Sequence, residues 1–410
     1  MTRRRLRCED YNVGWVCALP IELAAAQEML DEEHQGLAQY LNDTNVYTLG
    51  RIGEHNVVLA CLPAGRTGTN CATAVAIEMK SKFTAIRFGL IVGIGGGVPS
   101  AESDVRLGDV VVSQPYMEHG GVIQYDFGKT TPSGFVRTGY LNTPPTVLLN
   151  ALTKLQSQHL RGRSNLAAYL PQRFAYENVE PDILFEPTYN HVGGPTCGGC
   201  SKDRLVERPS HRTQEVIVHY GTIASGNQVM KDGVTRDMLS SELGGVLCFE
   251  MEAAGLMNSF PCLVIRGICD YADSHKNKRW QPYAAATAAA CAKEVLSVIP
   301  ALEVVESTAR LPRLVVGDEI RRVPARATNQ HQNIASEFIN NNLSNFYDRD
   351  PAFLEDLAQT ATARAQRATE EFGLGPEFTP KLAKLGLYDF VILCGRPSTS
   401  HASIGTLSQQ

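Results

Sequence analysis

Short apolar runs alternate with helical patterns through the first 300 residues of the chain. Strands are predicted over residues 13–19, 57–62, 86–94, 110–113, 216–225, 246–250 and 262–269, and helices over 21–30, 70–82 and 283–299. Asn70 is the predicted N-cap of the second helix. Strands that alternate with helices predict an α/β fold with a substantially parallel sheet. Ligands bind beyond the carboxyl ends of such strands, so the residues that follow each strand are the first candidates for chemistry.

Two regions depart from this alternation. Residues 167–212 carry few regular patterns and several glycines, which predicts a loop-rich insertion, and the apolar spacing weakens after residue 300. The predicted order is a basic tail (1–10), one α/β domain (11–300), a polar linker (301–349), a helical segment with an isolated strand (350–394) and a disordered tail (395–410).

Composition narrows the class of protein. With 43% hydrophobic and 20% charged residues, the chain of 410 residues has the balance of a soluble globular protein. Its net charge of −5 gives no sign of a nucleic-acid partner, and no apolar run is long enough to predict a membrane span. The basic start lacks the apolar stretch of a signal peptide, so we expect a cytoplasmic or nuclear protein whose 11 cysteines are mostly buried thiols.

Three strand ends carry groups suited to chemistry. Glu22 lies in the first turn of a helix, where a carboxylate also complements the helix dipole. The glycines at 93–97 either let a ligand approach the backbone or form only a tight turn. Glu252 and Asp270 can converge at one edge of the sheet, and the structural alternative is capping or ion pairing with Arg266.

Residues 11–300 resemble the nucleoside phosphorylase and nucleosidase superfamily, especially its fungal branch. The resemblance implies a single three-layer domain with a mixed central sheet flanked by helices. The motifs that carry it stand in the expected order: VGWVCALPIE from residue 13, GIGGG from 93, LGDVVVS from 107, IASGN from 223, Met251-Glu252 and Cys269-Asp270.

This resemblance implies cleavage of the N-glycosidic bond of a purine nucleoside by an enzyme that needs no cofactor and forms a homo-oligomer. Asp270 matches the family's acid that protonates the purine, Glu252 matches the carboxylate that binds the ribose hydroxyls, and Met251 packs beside the sugar. A positioned acid beside the leaving base lowers the barrier and raises the rate by roughly 10²–10⁴-fold. The implied base-binding residues are Gly95, Gly96, Asn227, Val229 and Met230.

The nucleophile decides between hydrolysis and phosphorolysis. The stretch 90–94 lacks the arginine or serine with which the family's phosphorylases hold phosphate, and a dianion needs such charge-assisted partners. Glu22 matches the carboxylate with which hydrolytic members activate water, so hydrolysis is favoured. Arg66 keeps phosphorolysis open, with inorganic phosphate as the co-substrate.

One departure from the family pattern leaves the substrate open. Val229 occupies the position where relatives that bind methylthioadenosine have an aromatic residue, and Phe127 is a candidate replacement. A non-catalytic nucleoside sensor is the alternative to an enzyme, since related domains are fused to signalling modules.

Metal sites are not predicted. Cys197-Gly198-Gly199-Cys200 has metal-ligand spacing near His191 and His211, but one such pair is half of a zinc site and a flexible insertion is the simpler interpretation. Residues 387–394 resemble the first strand of a von Willebrand factor A domain without the aspartate that starts its metal motif, so no metal site follows there.

Overall fold

The computed structural model describes residues 3–38, 43–174, 181–194, 196–209, 216–276 and 278–301. Within these ranges the chain alternates strands and helices as the apolar pattern predicts. The linker beyond residue 301, the segment 350–394 with its von Willebrand-like strand, and the tail 395–410 lie outside the described residues.

The strands and helices of the described residues have the following bounds. The strands are β1 (Val13–Cys17), β2 (Glu32–Glu33), β3 (Tyr47–Ile52), β4 (His55–Cys61), β5 (Phe88–Gly97), β6 (Val110–Ser113), β7 (Val122–Gln124), β8 (Gly128–Thr131), β9 (Gly134–Arg137), β10 (Val218–Gly221), β11 (Ile223–Ser225), β12 (Cys248–Glu250) and β13 (Cys262–Asp270). The helices are α1 (Pro20–Glu28), α2 (Thr69–Lys82), α3 (Thr146–Leu160), α4 (Leu166–Tyr169), α5 (Gly233–Glu242) and α6 (Gln281–Val298).

One mixed sheet organises the fold in the order β10-β6-β13-β5-β1-β4-β3-β2. Its centre is parallel, because β5 runs parallel to both β1 and β13. The strand β6 is antiparallel to β13, and β12 leaves the main order to pair antiparallel with the end of β5. The expected mixed central sheet is therefore confirmed, and β8 and β9 form a separate hairpin.

Helices cover both faces of this sheet. In β1, Val13, Trp15 and Cys17 pack in a core cluster with α1, α3 and α6, whereas Val16 packs in a second cluster with α2. This division follows from the two-residue period of a strand, which sends alternate side chains to opposite faces. No helix in the described part of the chain is long and apolar enough to cross a membrane.

The start of α2 differs from the prediction. The helix begins at Thr69, and its N-cap is Gly68, with φ of 97°, rather than Asn70. The backbone N–H of Thr69 donates to the Asn227 side chain at 3.0 Å, so a residue distant in sequence satisfies the first turn. Local propensity could not reveal that partner.

The glycines after the third predicted strand also differ from expectation. They continue β5 as far as Gly97 instead of forming a turn, and Gly96 pairs with both Phe249 and Asp270. A Cβ on Gly96 would lie 2.7 Å from Asp270 Oδ1, so the missing side chain is what allows this approach. The run predicted over 216–225 is likewise two strands, β10 and β11.

We expect Gly267→Ala to destabilise the fold. A Cβ at this position of β13 would overlap the backbone carbonyl of Ala284 in α6, which cannot rotate away. Overpacking a core costs roughly 1–3 kcal/mol, so urea unfolding should show a lower midpoint. Gly36→Ala is the matched control because a Cβ there meets nothing within 4 Å. Equal midpoints for the two variants would contradict the prediction.

Candidate active site

A cavity of about 350 Å³ opens where β1, β5 and β13 end. These strands are parallel neighbours, so their carboxyl ends meet at one edge of the sheet. The cavity is lined by eight of the residues predicted from the sequence: Glu22, Gly95, Gly96, Val229, Met230, Met251, Glu252 and Asp270.

Glu22 is a buried carboxylate held by backbone N–H groups. Its Oε2 accepts from Ala18 at 2.7 Å and from Leu19 at 2.9 Å, and its Oε1 accepts from Ile94 at 2.8 Å. Burial raises the pKa of Glu22, while nearby Arg266 and these N–H groups oppose the rise. Glu22 therefore caps α1, as the simpler interpretation expected, and also faces the cavity.

One buried arginine lies among the acidic groups. The Arg266 guanidinium is hydrogen-bonded to Glu250 and lies 3.4 Å from Glu252 Oε2. Glu22 is close enough to interact with it electrostatically, and both side chains would clash with a Cβ on Gly93. The pairing of Glu252 with Arg266 that the sequence offered as an alternative is thus present, and it contributes to the cavity instead of excluding one.

Glu252 is a buried carboxylate whose pKa lies near neutral pH. Burial raises its pKa to about 7, with Glu250 and Glu22 adding to the rise and Arg266 opposing it. Its Oε1 accepts the N–H of Gly68 at 3.3 Å. Near neutral pH this group therefore passes between a protonated form and an ionised form that accepts hydrogen bonds only.

Asp270 also lines the cavity and has a cationic neighbour. Its Oδ1 is 2.9 Å from Lys276 Nζ and accepts the N–H of Ala272 at 2.9 Å, and Cys269 Sγ is 3.2 Å from its Oδ2. Asp270 does not pair with Arg266 as the structural alternative suggested; it pairs with Lys276.

Two predicted site residues are not among the lining residues. Asn227 accepts hydrogen bonds from the backbone N–H and the hydroxyl of Thr69, so it joins the IASGN segment to the start of α2. Arg66 is exposed in the turn before that helix, next to the cavity-lining Thr67. Its role in phosphate binding stays a prediction.

The aromatic side chain at this cavity differs from the predicted one. Phe127 is 57% exposed and lines a second cavity with His119 and Arg137, so within this chain it is not among the residues that line the candidate site. Phe249 lines the site instead, held edge-on against Tyr125 at 5.4 Å between ring centroids.

Sequence reasoning gave no role to several charged residues at the site. Arg266 carried a signal, because a charge stands in the middle of an otherwise apolar strand. Lys231, Lys276 and Lys278 also line the cavity, and they carried none because surface lysines are common. Side chains of metal-ligand type cluster outside this cavity, at His191, Cys197 and Cys200.

An α/β sheet with a concave, acid-lined pocket beyond its strand ends defines a class of small-molecule-binding proteins and enzymes. The profile of the Phosphorylase superfamily matches residues 12–299, and the chain belongs to that family. The resemblance drawn from the sequence motifs is thereby confirmed.

Three relatives show how the family domain is used elsewhere. A nucleotide-binding leucine-rich repeat (NLR)-like protein of Hyaloscypha variabilis is 51% identical over 306 residues, which is 72% of this chain and 30% of that protein. A 5′-methylthioadenosine/S-adenosylhomocysteine nucleosidase of Mycobacterium bovis is 27% identical over 301 residues, 71% of this chain and 98% of the relative. The ATP nucleosidase Cap17 of Escherichia coli is 24% identical over 281 residues, which is 66% of this chain and 48% of Cap17. The chain thus spans less than a third of the NLR-like protein.

We expect Arg266→Met to destabilise the protein more at pH 8 than at pH 5. Removing one partner of a buried ion pair costs about 3–5 kcal/mol, because the remaining charges stay buried and uncompensated. At pH 5 the carboxylates of raised pKa, Glu252 above all, take up protons and relieve that cost. Urea unfolding at both pH values measures the difference. Arg51→Met, which removes an exposed pair with Glu32, should show a small effect that does not depend on pH.

Proposed function

We propose that the protein hydrolyses the N-glycosidic bond of a purine nucleoside to free base and ribose. The observation that carries the proposal is the buried cluster at the cavity, where Glu22, Glu250 and Glu252 lie around the guanidinium of Arg266. An acidic surrounding repels a phosphate dianion but suits a water nucleophile and a sugar that becomes positive as the bond breaks. The nucleosidase from Mycobacterium bovis supports the hydrolytic alternative.

Each acidic residue has a distinct proposed role. Water attacks the anomeric carbon of ribose while Glu22, whose two oxygens already accept three N–H groups, takes one proton from it. Ionised Glu252 accepts hydrogen bonds from the ribose hydroxyls, and Met251 packs against the sugar. The bonding electrons leave with the base, which takes a proton from Asp270 in its protonated form. Glu22 then loses its new proton to solvent, and Asp270 regains one from solvent.

The wall that carries Asp270 also supplies a positive charge. Lys276 Nζ lies 2.9 Å from Asp270, so a carboxyl and an ammonium group stand together where negative charge develops on the departing base. Phe249, Val229 and Met230 line the same cavity and give the base apolar surface. Lys276 is therefore proposed as a positioning and electrostatic partner of Asp270.

Product analysis tests the reaction directly. Incubation with adenosine, inosine and guanosine, with and without phosphate, should give the free purine and ribose in both buffers. Methylthioadenosine should give adenine and methylthioribose, ATP should give adenine and ribose triphosphate, and uridine, a pyrimidine nucleoside, is the control that should not react. The products are separated by chromatography. Sugar phosphate formed only in the phosphate buffer would establish phosphorolysis and assign Arg66 or another cation to the anion.

Substitutions at the cavity separate turnover from binding. Asp270→Asn should lower kcat by roughly 10²–10⁴-fold, because the departing base loses its proton donor. Nucleoside affinity, measured by calorimetry, should change little. Glu22→Gln should lower phosphate-independent hydrolysis in the same way, and the exposed Asp203→Asn is the control. Full hydrolysis by Glu22→Gln would show that another group activates the water.

We further propose that the substrate carries an anionic 5′ substituent. Lys231 and Lys278 are exposed and line the same cavity as Lys276, which adds two positive charges to the lining. Charge-assisted hydrogen bonds to lysine favour phosphate groups. The relative Cap17, an ATP nucleosidase, supports a phosphorylated substrate.

The double variant Lys231→Met/Lys278→Met tests the anionic substituent. It should lower kcat/KM for ATP by about 10-fold or more, given roughly 1.5–3 kcal/mol for a hydrogen bond to a charged group. Values for adenosine should stay within about twofold of the wild type. The exposed Lys202→Met controls for general loss of surface charge. An equal loss with both substrates would rule out recognition of the substituent.

A nucleoside sensor is the second candidate function. The NLR-like relative favours it, because this chain matches less than a third of that protein and the remainder offers other modules for a response. A sensor would bind a nucleoside without product formation, and Asp270→Asn would leave that binding intact. The product analysis therefore separates the two candidates.

A further inference from the structure

The loop-rich insertion contains a cluster of metal-ligand side chains outside the cavity. Candidate ligand atoms of His191, Cys197 and Cys200 all lie within 4.8 Å of one another. Cys197 opens a single 3₁₀ turn, and the N–H of Cys200 donates to the carbonyl of Cys197 at 3.0 Å. This turn brings the two thiols of the Cys-x-x-Cys pair to the same side, facing His191.

The imidazole of His191 is held in place by backbone groups at both ring nitrogens. Its Nε2 lies 3.2 Å from the carbonyl oxygen of Thr196, and its Nδ1 accepts the N–H of Gly193 at 3.0 Å. With the proton on Nε2, the Nδ1 lone pair accepts the Gly193 N–H, so a metal that binds Nδ1 would replace this one backbone hydrogen bond. Histidine ligands in metalloproteins are commonly fixed in this way, by donating the other ring N–H to a backbone carbonyl.

His275 stands beside this cluster with an unsatisfied ring. Its side chain is 6% exposed and stacks on Phe185, and its Nε2 has no hydrogen-bond partner among the described residues. Its Nδ1 lies 3.4 Å from Asp273 Oδ2, so a carboxylate faces the far side of the ring. The ring centroids of His275 and His191 are 5.6 Å apart. Two imidazoles on one tetrahedral zinc ion have centroids roughly 5 Å apart, given Zn–N bonds of about 2.0–2.1 Å.

We propose that His191, Cys197, Cys200 and His275 bind a divalent cation with the preferences of zinc. Two thiolates and two imidazoles form the tetrahedral donor set that zinc favours in structural sites, and a closed set of four protein ligands leaves no position for substrate. The ligands must move together by small amounts to close the site, which is consistent with their place in loops.

The position of the site assigns it a structural task. The insertion has little regular structure among its described residues, and one bridge joins Phe185 to Leu205. Coordination supplies folding free energy where a hydrophobic core is small. The N–H of His191 also donates to Ser274 Oγ at 2.9 Å, in the segment that leads from Asp270 to Lys276. The metal would therefore fasten the insertion to the segment that carries the Lys276 ammonium.

Metal analysis of the full chain tests the proposal. Protein purified without chelators and then dialysed should retain stoichiometric zinc by mass spectrometry, and cobalt exchange should give the absorption of tetrahedral cobalt with thiolate charge-transfer bands. Cys200→Ser should lose the metal, whereas Cys71→Ser, in α2, should keep it. Wild-type protein that holds no zinc after zinc loading and dialysis would overturn the proposal.

Two further measurements test the proposal. The first uses only wild-type protein, so it does not depend on whether a variant folds, and the second tests His275 as the fourth ligand. In the wild type, Cys197 and Cys200 should resist alkylation until a chelator is added; a disulfide between them without reductant would overturn the proposal. Loss of a residue that only supports a metal ligand typically weakens metal binding by about 10–100-fold. His275→Gln should weaken zinc binding by more than this, because it removes a ligand. Unchanged affinity in that variant would overturn the assignment of His275.

Discussion

The cavity depends on one buried cation. Arg266 stands in the middle of β13, where every neighbouring position is apolar, and its guanidinium compensates the charge of Glu250 and Glu252 with Glu22 nearby. Burying a carboxylate without such a partner is costly, so the acidic cavity can exist only because this charge lies beneath it. Burial raises the pKa of Glu252 even so, and the neighbouring Glu250 and Glu22 add to the rise that Arg266 opposes.

At this edge of the sheet the glycines, which have no side chain, are as important as the charged residues. Gly93 leaves room for the Glu22 carboxylate and the Arg266 guanidinium, and Gly96 leaves room for Asp270. A side chain at either glycine would clash with these charged groups and push them away from β5. The glycines therefore make room for the charged side chains of the site, and they remain part of the regular strand β5.

The insertion and the cavity are linked through a single segment. Asp270 ends β13, and the residues that follow it contact the insertion through Ser274 and His275 before Lys276 returns to the Asp270 carboxylate. A change in the insertion can thus reach the wall where the leaving base would sit.

The sequence by itself determined the α/β class, the family and most of the cavity, because apolar periodicity and short motifs are local properties that survive without a fold. Glu22, Glu252 and Asp270 were found since each directly follows a recognisable strand. Only the tertiary structure decided the partners: Arg266 beneath the acids, Lys276 on Asp270, Asn227 at the start of α2, and Phe249 where an aromatic residue was sought. Each of these contacts joins residues whose meeting depends on strand order and on the path of loops, which no local pattern encodes.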